Sequence, residues 1–164
     1  MAQNHNIFRK EIINCIVPNF RKDKKLYLLV GDMGFGAIDK LENELSDRII
    51  NCGIMEQGIV GIAAGMAMSG LKPVVYTIVN FLVFKAFEQV RNDVILQNLN
   101  VKFIGTGAND YFRFLGSSHC CGQDDISLMK LINLKVFDPY TTKRPFSKLV
   151  QQWIHYNKAA YIRV

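Results

Sequence analysis

Arg48-Ile49-Ile50-Asn51-Cys52-Gly53-Ile54-Met55-Glu56-Gln57-Gly58-Ile59-Val60-Gly61-Ile62-Ala63-Ala64-Gly65-Met66-Ala67 reads as a short strand, a glycine turn and a helix. The helix is expected from Glu56 to Ser69, because Ile59, Ile62, Ala63, Met66 and Ala67 recur at helical spacing. Gly58, Gly61, Ala64 and Gly65 lie between them, and so many small residues let another backbone come close. The helix is therefore expected to be buried against a neighbour, and Gly70 to end it.

The same alternation extends outward. Upstream, Ile7, Phe8, Ile12, Ile13 and Ile16 set a helix over 7–17, which Pro18 is expected to close. Leu26-Tyr27-Leu28-Leu29-Val30 is a buried strand stopped by Gly31-Asp32-Met33-Gly34. Downstream come a strand over 73–77, a helix over 84–96 with Ala86, Phe87, Val90 and Val94 on one face, and a strand over 101–105. A glycine-containing loop over 106–123 leads to a helix over 124–131, whose opening aspartates suit the positive end of the helix dipole. A strand over 135–137, a helix over 145–156 and a last strand over 160–164 complete the chain. Parallel strands need crossover connections, so this order predicts a three-layer α/β/α fold around a mostly parallel sheet. Ligands in such sheets bind beyond the carboxyl ends of the strands, where the loops after Val30, Cys52, Thr77 and Gly105 gather.

With 164 residues, 49% apolar and 21% charged, the chain is expected to form a single domain over 1–164. The net charge of +6 suits an acidic partner or a phosphorylated ligand. The basic residues are scattered apart from Arg21-Lys22 and Lys24-Lys25, which argues against a nucleic-acid partner. Residues 1–6 lack the pattern of a secretory signal, and no apolar run reaches the roughly 18 residues of a membrane span. A cytoplasmic location without membrane contact is the expectation. Cys15, Cys52, Cys120 and Cys121 show neither zinc spacing nor the density of a disulfide scaffold, and read as small apolar residues.

Glu56 stands out chemically, because it places a carboxylate at a strand-to-helix junction on the ligand side of the sheet. Spacing alone leaves two readings open: a helix-start residue favoured by the dipole, or a buried functional acid.

Several segments resemble, in order, the motifs of the transketolase family. Gly53-Ile54-Met55-Glu56-Gln57 and the small residues to Ala67 resemble G-I-x-E-Q and A-A-G-x-A; Asp32-Met33-Gly34-Phe35-Gly36 resembles D-L-G-x-G, and Ser46-Asp47-Arg48 its P-D-R. Gly70-Leu71-Lys72-Pro73 resembles G-x-x-P, Thr77 and Phe81 the T-x(3)-F pair, and Phe87-Glu88-Gln89-Val90-Arg91 F-D-Q-I-R. Gln97-Asn98-Leu99-Asn100-Val101-Lys102 matches Q-N-L-N-V-K, Gly116-Ser117-Ser118-His119 stands where the family has G-P-T-H, and Asp125-Ile126-Ser127-Leu128-Met129 follows as D-I-A-x-M. The stretch after Phe81 is one residue longer than the commonest pattern.

The resemblance implies a pyrimidine-binding module for thiamine diphosphate. In this family the glutamate of the G-I-x-E motif, here Glu56, hydrogen-bonds the pyrimidine N1′ and stabilises the tautomer that forms the reactive carbanion. By the same resemblance Gln57 accompanies it at the cofactor, Phe81 stacks on the pyrimidine, Phe84 adds to the wall, and Asp32 approaches the cofactor across a subunit interface. His119 is the implied substrate-side histidine. Arg163 lies near a phosphate-contacting arginine of the family but is not taken as a site residue, and His5 and His155 are given no role.

Two departures shape the expected function. Leu115 and Gly107 stand where the family has an acidic residue and a histidine on the sugar side, which leaves room for another ketose, a modified sugar or an altered acceptor. These 164 residues contain no G-D-G motif of the kind that binds Mg²⁺ and the diphosphate, and the family's third domain is expected to be absent as well. The resemblance then implies one subunit of a split transketolase that transfers a two-carbon ketol unit between a ketose and an aldose. A partner chain would bind the diphosphate and hold most of the Mg²⁺, in an assembly of two copies of each chain that acts on a sugar or sugar phosphate. A beta-type subunit of a 2-oxoacid dehydrogenase or decarboxylase, and a noncatalytic binding protein that kept the fold, are the alternatives.

Overall fold

Leu26–Val30 (β1) is apolar at consecutive positions because it lies inside a sheet covered on both faces. It pairs in parallel with Ile49–Asn51 (β2) on one side and with Lys72–Ile78 (β3) on the other. In the computed structural model, which describes residues 5–34, 36, 38, 41 and 45–164 (backbone alone at 5 and 6), the sheet is completed by Lys102–Thr106 (β4), Lys135–Phe137 (β5) and Ala160–Arg163 (β6). The strand order is β2-β1-β3-β4-β6-β5 and every pairing is parallel. The chain leaves β1 toward one edge and returns past it to β3, so the sheet reverses its winding there. The loops after β1 and β3 flank the crevice that results.

Helices His5–Lys22 (α1) and Phe146–Ile154 (α5) cover one face, with Ile12, Ile16, Phe20 and Trp153 against Leu28, Val74 and Ile162. The other face packs Leu29, Val75 and Phe103 against Glu56–Met68 (α2), the helical stretch 81–95 and Asp124–Leu131 (α4). Phe87–Gln89, within that stretch, is α3. The three-layer α/β/α fold with a parallel sheet follows as the sequence implied.

Pro18 does not close α1, which continues to Lys22. Proline removes one N–H, and the carbonyl it would serve belongs to Asn14; both residues are on the exposed side of the helix, where solvent can take the place of the lost donor. Beyond it Phe20 is fully buried, and Arg48 Nη1 closes the helix end by donating to the carbonyls of Phe20 (2.7 Å) and Asp23 (3.1 Å).

The helix expected over 84–96 starts earlier and is wound differently. Phe81–Lys85 and Val90–Ile95 are π-helical, with the Ala86 N–H bonded to the Phe81 carbonyl at 3.2 Å and the Leu96 N–H to that of Arg91 at 2.9 Å. These wide turns take up extra backbone while Leu82, Val83, Ala86, Val90 and Val94 all stay in the core.

α2 buries Ile59, Val60, Ala63 and Ala64 but turns Gly61, Ile62, Gly65 and Met68 outward. A Cβ added at Gly61 or Gly65 would thus have nothing within 4 Å among the described residues. No helix of the described residues is long and apolar enough to cross a membrane.

Candidate functional site

Asn51, the last residue of β2, organises the loops at the carboxyl end of β1 and β2. Its side-chain carbonyl accepts from the N–H groups of Asp32 (3.1 Å) and Gly53 (3.0 Å), and its amide donates to Asp32 Oδ1 at 3.0 Å. Asp32 sits at a positive φ of 49°, a conformation that this short polar residue tolerates when its side chain is tied locally. Gly53 takes a φ of 74° in the turn into α2, where it delivers Glu56 to the first helical position.

Glu56 is buried, with 2% of its side chain exposed. A carboxylate so far from water needs a partner, and it has one: Lys85, at the end of the π-helical turn Phe81–Lys85, places Nζ 2.6 Å from Glu56 Oε2.

At the start of that turn, half-buried Phe81 meets the ring of His119 edge-on, with centroids 5.0 Å apart and planes at 70°. His119 comes from the loop between β4 and α4. The Asn80 amide ties the two segments by donating to the Ser118 carbonyl, and Ser118 Oγ lies 3.1 Å from His119 Nδ1. Two of the residues singled out from the sequence are therefore neighbours although 38 positions separate Phe81 from His119. Gln57 is exposed in the first turn of α2, and Phe84 is 54% exposed.

The loop carrying His119 is fastened from beneath. Arg163, fully buried on β6, donates through Nη2 to Asn109 Oδ1 (2.9 Å) and the Gly122 carbonyl (3.3 Å), which bracket the loop. Its Nε and Nη2 grip Asp125 at the start of α4, and Nη1 lies 3.5 Å from Asp138. The guanidinium's N–H groups are thus directed at protein acceptors. Arg9 of α1 lies over the rings of Tyr111 and Phe112 in the same loop, at 5.6 and 5.3 Å, and adds a cation at this end of the sheet. Phe114 and Leu115 at the loop's tip are exposed.

Lys85, Asn51 and Asn80 were not singled out in the sequence. A lysine or asparagine without a motif looks like any surface residue, and only the extra residue after Phe81 signalled that its helix was unusual. Among the cysteines, Cys121 is buried and burial pushes its thiol up to about 12, so it is not a nucleophile near neutral pH. The described residues contain no group of three His, Cys, Asp or Glu side chains able to hold a metal ion.

The family model described as "Transketolase, pyrimidine binding domain" matches residues 9–164. One subunit of an apulose-4-phosphate transketolase from Phocaeicola vulgatus is 30% identical over 165 aligned positions, covering all of this chain and 53% of the relative. The subunit of the same description from Actinobacillus succinogenes is 36% identical over 122 positions, 74% of this chain and 39% of the relative. A solved structure described as a split gene transketolase, inactive beta4 tetramer, superposes with a TM-score of 0.80 at 28% identity over 95% of this chain and 50% of that one. The chain thus spans about half the length of these relatives, or less.

Proposed function

Because the chain belongs to the transketolase pyrimidine-binding domain family, we propose that it is the pyrimidine-binding subunit of a split transketolase, moving a two-carbon ketol unit from a ketose to an aldose. The observation that carries this reading is Glu56, a carboxyl at a strand-to-helix junction with almost no exposure. That chemistry fits the ring nitrogen of an aminopyrimidine, and the half-buried face of Phe81 fits the flat ring. Thiamine diphosphate, when bound, supplies the carbanion and the electron sink. Glu56 holds or moves the proton at the pyrimidine N1′, and Phe81 orients the ring. Asp32, fixed by Asn51, and Gln57 stand at the same end of the sheet to complete the cofactor contact, with Phe84 at its rim.

In the same reading His119, whose ring is edge-on to Phe81, hydrogen-bonds a sugar hydroxyl or carbonyl and passes a proton. In this reading Mg²⁺ and the diphosphate are held by a partner chain. Relatives described as the product of a split gene and as one subunit of a transketolase support such a partner, and the outward small-residue face of α2 offers a surface for it. The same support makes a heterotetramer of two copies of each chain, acting on a sugar or sugar phosphate in carbohydrate metabolism, the preferred assembly.

The test is coexpression with a diphosphate-domain chain, then a ketol-transfer assay with thiamine diphosphate and Mg²⁺. Activity is expected only with both chains, and Glu56→Gln is expected to lower kcat by about 10²- to 10⁴-fold, as for the loss of a general acid-base group. Full activity in the mutant would remove Glu56 from the mechanism, and activity of this chain alone would remove the partner.

A further inference from the structure

The carboxylate on which the proposed function rests is already engaged. Glu56 is 2% exposed and its Oε2 is held by Lys85 at 2.6 Å, while the lysine side chain is 43% exposed. The pair is asymmetric: a nearly dry anion is neutralised by a cation whose stem reaches in from solvent. Lys85 is the one cation within ion-pair distance of Glu56 among the described residues.

We infer that Lys85 competes with the cofactor's pyrimidine for Glu56, so that loading requires the ammonium to release the carboxylate and return to water. The inference rests on the reading of Glu56 as the pyrimidine-binding acid. Three features of the chain support it. Lys85 closes the same π-helical turn that Phe81 opens, so the residue that engages the acid and the aromatic assigned to the pyrimidine are held by one segment. A lysine has a flexible four-carbon stem and a strongly hydrated head, so half-exposed Lys85 can swing out without disturbing the core residues Leu82, Val83 and Ala86 around it. Without a ligand, the buried carboxylate would be left uncompensated if Lys85 were absent, and this is what the contact prevents. The exchange is noncovalent: the N–H···O bond from lysine is broken, the ammonium is rehydrated, and one proton taken from solvent is shared between the Glu56 carboxylate and the ring nitrogen to make the new hydrogen bond.

A structural anchor and a competitor make opposite predictions. Losing an anchor loosens the site and weakens cofactor binding, whereas losing a competitor strengthens it. Calorimetric titration of thiamine diphosphate with Mg²⁺ into the coexpressed complex is expected to show Lys85→Met binding about tenfold more tightly, roughly 1.4 kcal/mol. Lys85→Arg should bind as the parent does, and Glu56→Gln weakly. A denaturation cycle on the full chain with Glu56→Gln, Lys85→Met and the double variant is expected to show coupling between the two residues. Lys85→Gln repeats the comparison if the methionine variant does not fold. Unchanged or weaker binding by Lys85→Met, or by Lys85→Gln in its place, while the parent binds overturns the competition alone, as does a cycle without coupling. Failure of parent and variants alike to bind cofactor overturns the functional reading and the competition with it.

Discussion

Arg163 and Asp125, both fully removed from solvent, meet through a forked pair of hydrogen bonds, Nε to Oδ2 at 2.8 Å and Nη2 to Oδ1 at 3.1 Å. Tyr161 donates a third to Oδ2 at 2.6 Å, so the carboxylate is satisfied on both oxygens. Removing one partner of such a pair leaves an uncompensated charge in the core. Arg163→Met is expected to cost about 3–5 kcal/mol of stability, read as a fall in Tm or in the denaturation midpoint. Lysine should not rescue it, because an ammonium cannot fork between two oxygens while also serving Asn109 and Gly122. A loss under about 1 kcal/mol would show that the network does not hold the fold.

The loop that carries His119 is also pinned by Asp110, whose Oδ1 accepts from the Gly122 N–H at 2.7 Å and whose Oδ2 pairs with Arg113 at 2.9 Å. The Gly122 N–H, then the Arg113 hydrogen bond, lower this carboxyl from the ordinary 3.8. A lowered folded-state pKa means that the stabilisation is complete above 3.8 and is lost as pH falls through the folded value. The protection of the amides of 107–122, taken relative to their intrinsic exchange rate at each pH, is therefore expected to fall below 3.8. Asp110→Asn should show faster exchange already near neutrality and a smaller acid response. An acid response in the mutant equal to the parent's would assign the effect to other groups.

The architecture was legible because it rests on local rules. β1 at 26–30 and α4 at 124–131 have the bounds their patterns implied, since an apolar run and an acidic helix start each decide one element. α1 was misread at Pro18 because a proline whose lost bond faces water does not stop a helix that has a buried next turn to gain. Of the candidate site, the approach of Phe81 to His119 follows from two loops meeting at one end of a parallel sheet. The Lys85–Glu56 pair and the Asn51 bridge could not be read, because they depend on where a wide turn and a strand end aim single polar side chains.

Gly105 on β4 lies under the ring of Tyr161, and a Cβ there would come within 2.6 Å of it. The ring must cross this point for its hydroxyl to reach Asp125, so the glycine serves the buried network rather than a turn. Gly105→Ala is expected to cost about 1–3 kcal/mol, as overpacking does in a filled core. Tyr161→Phe in the same background should add less than it does in the parent, because the hydrogen bond to Asp125 is already displaced. Strict additivity of the two changes would show that the ring does not move.

Gly61 and Gly65 of α2 face outward, with nothing within 4 Å of the point a Cβ would occupy, beside exposed Ile62 and Met68. Glycine inside a helix is unfavourable by about 1 kcal/mol relative to alanine, so the folding of this chain does not explain two of them on one face. Close approach of another backbone does, which is the role the split-subunit reading gives to this surface. Gly61→Ala and Gly65→Ala should each stabilise the isolated chain by up to about 1 kcal/mol. The same changes should weaken assembly with the diphosphate-domain chain, measured by sedimentation or size exclusion of the coexpressed pair. Stabilised variants that assemble as well as the parent would place the partner surface elsewhere.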